Sequence, residues 1–345
     1  MNPQSPIFRK AGSEGPAHRL GGRGPERLVT SADPTFSDLL DRWIEHIAGR
    51  GRSDATLYNY QRYIDREIKP IFGTTHLSKI NALDLDRFYG RLLKRGLARH
   101  GPPDPCRDPG IVESERTLGL VGRNVAHWRR PSQSQREQHP PSIDDVHALL
   151  TASAAIDPMF GLYARFVVAT GVRRAEACGV RWSDVDFEQG TVSISRSYLA
   201  LPNGVKGDRP TKTRSARVIT LDPETVSALR SGLEEALRVA RVSSIDESLR
   251  LAGYVFSFDA GGAEAWRPDT VNPRWGRART AAGVRSTIRL HDLRRWQATQ
   301  LLDVGVPVPT VAARLGHANG TTTMKAYAHR TKRADEQAAT VVGRR

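Results

Sequence analysis

The sequence predicts a mainly α-helical chain with one small antiparallel β-sheet, divided into two domains. Three observations predict it. Apolar residues recur at helical spacing in two blocks, 36–93 and 143–170, and again over 226–237; alternation of apolar and polar residues is confined to 190–197 and 216–221. A polar, basic, proline-containing stretch, 123–141, separates the blocks. At 345 residues the chain is long enough for two separate cores.

Residues 1–33 are rich in Gly, Pro, Arg and Ser with almost no apolar periodicity, and read as a disordered basic arm. The pattern changes at Thr35, which with Asp38 makes a capping-box start. Phe36, Leu39, Leu40, Trp43, Ile44 and Ile47 then define a helix over about 36–48. A second helix opens at Ser53-Asp54, carries Leu57, Tyr60, Ile64 and Ile68, and is expected to end around Pro70. A third uses Leu85, Phe88, Tyr89, Leu92 and Leu93 and stops at Gly96. Beyond it, Gly101-Pro102-Pro103-Asp104-Pro105 and Asp108-Pro109-Gly110 exclude a helix interior, and helical signal returns only weakly over 112–120. These elements bound a first domain at 34–122, apparently shortened, followed by a linker at 123–141.

The second domain, 142–332, opens with Ser142 and Asp145 capping a helix that bears Ile143, Val146, Leu149 and Leu150. Asp157-Pro158 starts another, with Leu162, Phe166 and Val167 facing inward, and Gly171 ends it. One strand is expected over 190–197 and a partner over 216–221, joined by a loop containing Pro202-Asn203-Gly204, Gly207-Asp208 and Pro210. Asp222-Pro223-Glu224 begins a long helix with Val226, Leu229, Leu233 and Leu237. The short apolar run 254–258 is a candidate extra strand, a helix runs from His291 to about Val304, and a shorter one covers 310–315. A last apolar helix is expected over 334–342, within a tail at 333–345.

Lys and Arg number 52 against 37 Asp and Glu, a formal charge of +15. Such an excess favours a polyanionic partner, because each neutralised phosphate releases counterions. The two cysteines, Cys106 and Cys178, stand in no CxxC or Cys/His ligand pattern, so neither a disulfide framework nor a zinc site is predicted. No apolar run approaches a membrane span and no apolar signal core opens the chain, so a cytoplasmic location is expected.

The chemistry-bearing residues follow one another in a fixed order. Thr170-Gly171-Val172-Arg173-Arg174-Ala175-Glu176 comes first, then Lys212 in the predicted hairpin, then His291-Asp292-Leu293-Arg294. Leu315-Gly316-His317 follows, and Tyr327-Ala328-His329 lies ten residues beyond His317. Each motif alone is weak, but six positions in register are not. This order resembles the catalytic domain of the tyrosine recombinases, the phage integrase family, well over 142–335 and more loosely over 35–96.

The resemblance implies a two-domain DNA clamp: a helical, SAM-like core-binding domain and a mixed α+β catalytic domain. It implies Tyr327 as nucleophile, attacking a phosphodiester to give a 3′-phosphotyrosine and a 5′-hydroxyl. Arg173 and Arg294 would hold the phosphate, since a guanidinium presents a planar fork and keeps its charge. Lys212 is the implied general acid to the leaving oxygen, with Lys206 the competing candidate in the same loop. His291 would assist proton transfer with Tyr327, and His317 would hydrogen-bond a phosphate oxygen. Glu176, three residues after Arg173, either orients that arginine or is an exposed helix charge. Arg174 and Arg295 are surface or DNA-backbone residues, and His329 is structural or a DNA contact.

Such chemistry needs no cofactor and no metal; the phosphotyrosine stores the bond energy, and no GxxxxGK[ST] loop is present. The implied partners are double-stranded DNA, three further copies of the chain in a homotetramer, and accessory DNA-bending or directionality proteins. A site-specific recombinase of integrase type is the leading reading. A type IB topoisomerase-like enzyme and a catalytically lapsed DNA-binding remnant of a mobile element are the alternatives, the latter favoured by the irregular stretch 97–122.

Overall fold

The computed structural model describes residues 33–95, 140–211 and 216–317, and the chain divides into two units, Met1–Gln133 and Ser134–Arg345. The N-terminal arm as far as residue 32, the weak helical signal at 112–120, the linker up to residue 139, the expected helix at 334–342, Cys106, Lys212, Tyr327 and His329 lie outside the described residues.

The first unit is helical. Helix α1 (Phe36–Gly49) starts on the predicted capping box, in which Thr35 and Asp38 bond each other's backbone N–H. Helix α2 (Asp54–Tyr63) follows Ser53 as cap. Pro70 does not end it. The chain passes through a π-helical turn, Ile64–Ile68, into a short helix α3 (Lys69–Phe72). The wide turn puts Pro70 in the first turn of the next helix, where an amide lacks an α-helical partner and a missing N–H costs little. Helix α4 (Ala82–Lys94) completes the set. Leu40, Trp43, Tyr60, Ile64, Ile68, Phe72, Leu85 and Phe88 bury one continuous core, with Trp43 edge-on to Tyr60 at 5.0 Å and Phe72 edge-on to Phe88 at 5.5 Å. Phe88 is 1% exposed, so Phe88→Ala is expected to lower the stability of this unit by about 3–5 kcal/mol, read from chemical denaturation.

In the second unit, α5 (Ile143–Ile156) and α6 (Pro158–Thr170) pack closely, because Gly161 brings its backbone against Ala154; a Cβ there would stand 2.7 Å from the Ala154 Cα. Tyr163 is fully buried among Phe160, Phe256 and Trp266. Helix α7 (Arg174–Cys178) is a single turn. The Cys178 thiol on it is buried, which pushes its pKa up to about 12 and makes it unreactive.

The predicted strand at 190–197 is two strands. Strand β2 (Thr191–Ile194) pairs antiparallel with β1 (Val185–Asp186) and with β5 (Arg217–Thr220), burying Val192, Ile194 and Ile219. The chain leaves this sheet at Ser195. Strand β3 (Arg196–Ala200) then forms a separate hairpin with β4 (Lys206–Pro210), so part of what was expected to be loop is ladder. Asp208 anchors the hairpin, accepting bonds from Arg181 Nη2 at 2.9 Å and from the Tyr254 hydroxyl at 2.8 Å. The run 254–258 is not a strand; it makes single bridges to Arg181 and Ala265 and buries Val255 and Phe256.

Helix α8 (Pro223–Val242) begins on the Asp222 cap, and α9 (Glu247–Ala252) follows. Helix α10 (Val271–Ala281) is not visible in the apolar pattern, since only Val271, Trp275 and Ala278 face inward among arginines and a proline. Helices α11 (Leu290–Asp303) and α12 (Val308–Leu315) complete the described fold. No helix among the described residues is long and apolar enough to cross a membrane.

Candidate active site

Two helix ends build the site. Helix α6 stops at Gly171 (φ 63°) and α12 at Gly316 (φ 67°), both left-handed. At Gly171 a side chain is excluded by space as well: a Cβ would stand 2.1 Å from Gln297 Oε1 and 2.5 Å from Leu315 Cδ2. The last carbonyls of a helix have no partner within it and attract cations. Here they draw in side chains of α11, α12 and the residue before α7.

Arg294 sits on the inward face of α11, where Leu290, Gln297 and Ala298 are also buried at helical spacing. Its Nη1 donates to Gly171 O at 2.6 Å and its Nη2 to Leu315 O at 2.5 Å, so one guanidinium ties both helix ends. Burial and the neighbouring charge of Arg173 push its pKa down to about 9, still well above neutral. Arg173, the residue before α7, donates from Nη2 to Gly316 O at 3.0 Å and from Nη1 to Glu176 Oε1 at 2.7 Å. Gln297 and Arg314 both donate to one α6 carbonyl, that of Ala169, at 2.6 and 2.9 Å.

Glu176 is 1% exposed and therefore not a surface charge. It accepts the Arg173 backbone N–H at 3.0 Å as well as its side chain, and Arg217 Nη2 at 2.7 Å. Burial alone would raise its carboxyl; the hydrogen bond and charge of Arg217, with the Arg173 bonds, hold it below the usual range.

His291, in the first turn of α11, keeps contact with solvent, yet partial burial and the charges of Arg294 and Arg295 lower its pKa. His317, just past the Gly316 turn, is pushed down to about 4 by burial and then by Arg294, Arg173, His291 and Arg217. Its imidazole is neutral at pH 7, with one nitrogen donating and the other accepting. The pH consequence has a definite sign. The folded value lies below the unfolded one of about 6.5, so the unfolded chain takes the proton first. This contribution to stability is complete above about pH 6.5 and is lost as the pH falls toward about 4. Thermal melts between pH 7.5 and 4.5 are expected to fall less steeply for His317→Gln than for the unaltered chain, and His317 in the DNA-free protein is expected to titrate near the low value by NMR.

The structure therefore brings Arg173, Glu176, His291, Arg294 and His317 into one electrostatic cluster, while Lys212 and Tyr327 lie outside the described residues. Lys206 lies in β4 and pairs with Glu264 at the surface. Arg174 bonds Asn272 at 2.6 Å. Sequence reasoning missed Arg217, Gln297 and Arg314. For Arg217 the trace in the sequence is faint: it shares the strand face of Ile219, so alternation places a charged residue inward, but nothing nearby in the chain names its partner. Gln297, three residues after Arg294, likewise shares its helix face.

The two arginines and two histidines gathered at these helix ends, on a helical scaffold with small antiparallel sheets, all lie within the residues that a family model matches. The chain belongs to the phage integrase family, whose model matches residues 143–334; the N-terminal SAM-like domain of phage integrases matches 35–93. It is an enzyme, a tyrosine-type site-specific DNA recombinase. Among its relatives, a "Tyrosine recombinase XerC-like" protein of Caldanaerobacter subterraneus is 25% identical over 331 residues, covering 87% of this chain and 81% of the relative. A putative prophage phiRv2 integrase of Mycobacterium tuberculosis is 22% identical over 311 residues, covering 90% of this chain and 78% of its own. The fold is similar to that of the Tn1549 transposon integrase in complex with transposon right end DNA, with a TM-score of 0.72 at 18% identity, covering 90% of this chain and all of that one. A lambda integrase tetramer bound to a Holliday junction gives a TM-score of 0.61 at 20% identity, covering 85% and 77%.

Proposed function

We propose that this chain cuts and rejoins double-stranded DNA through a 3′-phosphotyrosine formed on Tyr327. The observation that carries this reading is the convergence of Arg173 and Arg294 on two helix ends, with His291 and His317 in the same field. Each guanidinium has five N–H donors, more than the carbonyl and carboxylate bonds described for it consume. A phosphate seated against both is held and drained of charge without metal, by preformed donors that need no rearrangement.

The Tyr327 oxygen attacks phosphorus as its proton passes toward His291; the bond from phosphorus to the 5′-oxygen breaks, and Lys212 gives that oxygen its proton. His317, neutral at working pH, hydrogen-bonds a non-bridging oxygen. The freed 5′-hydroxyl of a second duplex reverses the step on a new partner, which conserves the bond energy and requires no nucleotide cofactor. Exchange between two duplexes takes four protomers, a stoichiometry that the lambda integrase tetramer on a Holliday junction supports. The protein acts in the cytoplasm, where its DNA lies, with accessory DNA-bending or directionality proteins setting the direction of exchange. Purified protein incubated with nicked suicide duplexes from the DNA flanking its gene is expected to give a covalent adduct on a denaturing gel. Salt-sensitive DNA binding without an adduct on a genuine site would instead establish a lapsed enzyme.

A further inference from the structure

Arg217 belongs to none of the motifs that carry the reaction, yet it occupies the middle of the site. On β5, Val218 faces outward at 65% exposure, whereas the Arg217 side chain is 8% exposed. A charge is buried on a four-residue strand only if something inside compensates for it. Two groups do. Its Nη2 donates to Glu176 Oε2 at 2.7 Å, and its Nε to Arg314 O, in the last turn of α12, at 2.9 Å. Its Nη1 is buried without a hydrogen-bond partner among the described residues and lies at the Gly316 turn, where a Cβ would stand 2.8 Å from it.

The consequence is a matter of charge. Glu176 lies between two guanidinia, bonded to that of Arg173 through Oε1 and to that of Arg217 through Oε2, which also accepts the Arg173 backbone N–H. With Arg173 alone, the carboxylate would cancel the charge meant for the phosphate. With Arg217 present, the three groups keep one net positive charge, and Arg294 adds a second close by. A phosphate passing through a five-coordinate state gains negative charge, and the transition state is stabilised by cations that are not already neutralised.

We propose that Arg217 is a positioning residue for the phosphate site: it takes up the charge of Glu176, leaving Arg173 cationic toward DNA. The proposal rests on the recombinase reading above. It assigns Arg217 no contact with the substrate; it acts through Glu176, and the bond to the Arg314 carbonyl holds the side chain in place. The competing view, a mere tie between β5 and α12, predicts a loss of stability that ignores the charge on Glu176.

The experiment is a four-protein cycle in the full chain: unaltered, Arg217→Met, Glu176→Gln, and the double variant. Each is measured for single-turnover cleavage of a suicide duplex and for equilibrium binding to the same duplex. Arg217→Met is expected to slow cleavage by roughly tenfold or more with the dissociation constant changed by less than about threefold. In the Glu176→Gln background, where no carboxylate needs neutralising, the same change is expected to cost about twofold or less. Arg217→Lys, which keeps the charge, is expected to recover most of the rate. Equal slowing by Arg217→Met in both backgrounds would overturn the proposal while leaving the recombinase reading intact. Absence of an adduct from the unaltered protein on a genuine site would overturn that reading, and this proposal with it. Should Arg217→Met not fold, Arg217→Gln, which retains donors to Glu176 and Arg314, supports the same comparison.

Discussion

Tyr327→Phe is expected to form no covalent adduct with a suicide duplex and to lose at least about a thousandfold in strand exchange, while binding the same duplex as the unaltered chain does. The change removes one oxygen and nothing else. A phenol has an ordinary pKa of about 10 and is a poor nucleophile until cations favour its phenolate; Arg173 and Arg294, held on the two helix ends, are such cations. The remaining tyrosines of the second unit cannot substitute. Tyr163, Tyr198 and Tyr254 are 0%, 5% and 6% exposed, and burial raises the pKa of each, the opposite of what a nucleophile needs. An adduct that survives in Tyr327→Phe would remove Tyr327 from the mechanism and send the search for the nucleophile to other side chains.

The helices that carry the site were legible because their signals are local. Ser142 with Asp145, Asp157 with Pro158 and Gly171 are each written within a few residues, and each appears in the structure as a cap, a first-turn proline or a left-handed end. Arg294 was also legible, by its place three residues after His291. What holds it was not, since its partners are carbonyls 123 and 21 residues away in the chain. Side-chain pattern says nothing about which backbone carbonyl a guanidinium will meet. The same limit explains Pro70, where a π-turn that no residue type announces absorbs the proline. It explains Ser195 too: alternation runs smoothly from β2 into β3, and only the hydrogen-bond partners show that the chain has changed sheets. Arg217 was hidden for a different reason. A charged residue on an inward strand face reads as noise until the carboxylate opposite it is known, and Glu176 lies 41 residues upstream.

Arg294→Lys keeps a cationic side chain at the centre of the site, and is nevertheless expected to reduce cleavage by about a hundred- to a thousandfold and to lower the melting temperature of the second unit. Three effects act together. An ammonium is a point donor, and it cannot reach Gly171 O and Leu315 O in the planar, two-sided manner of Arg294, which bonds them at 2.6 and 2.5 Å. One helix end is then left with a buried, unpaired carbonyl, which destabilises the junction of α6 and α12 by about 1–3 kcal/mol. The third effect is on charge. Burial and Arg173 already push Arg294 down to about 9; a lysine starts about two units lower, so the same surroundings bring it toward neutral pH and part of the positive charge is lost. Arg173→Lys separates these contributions, because the Arg173 side chain is 26% exposed and bonds only one helix-end carbonyl. That variant is expected to lose rate with a smaller drop in melting temperature. Single-turnover cleavage and thermal melts on both variants decide the matter. If Arg294→Lys cleaves at the unaltered rate, the forked, carbonyl-anchored guanidinium is not what the reaction uses; if it melts normally but cleaves slowly, the two helix ends do not depend on Arg294 and its role is confined to the phosphate.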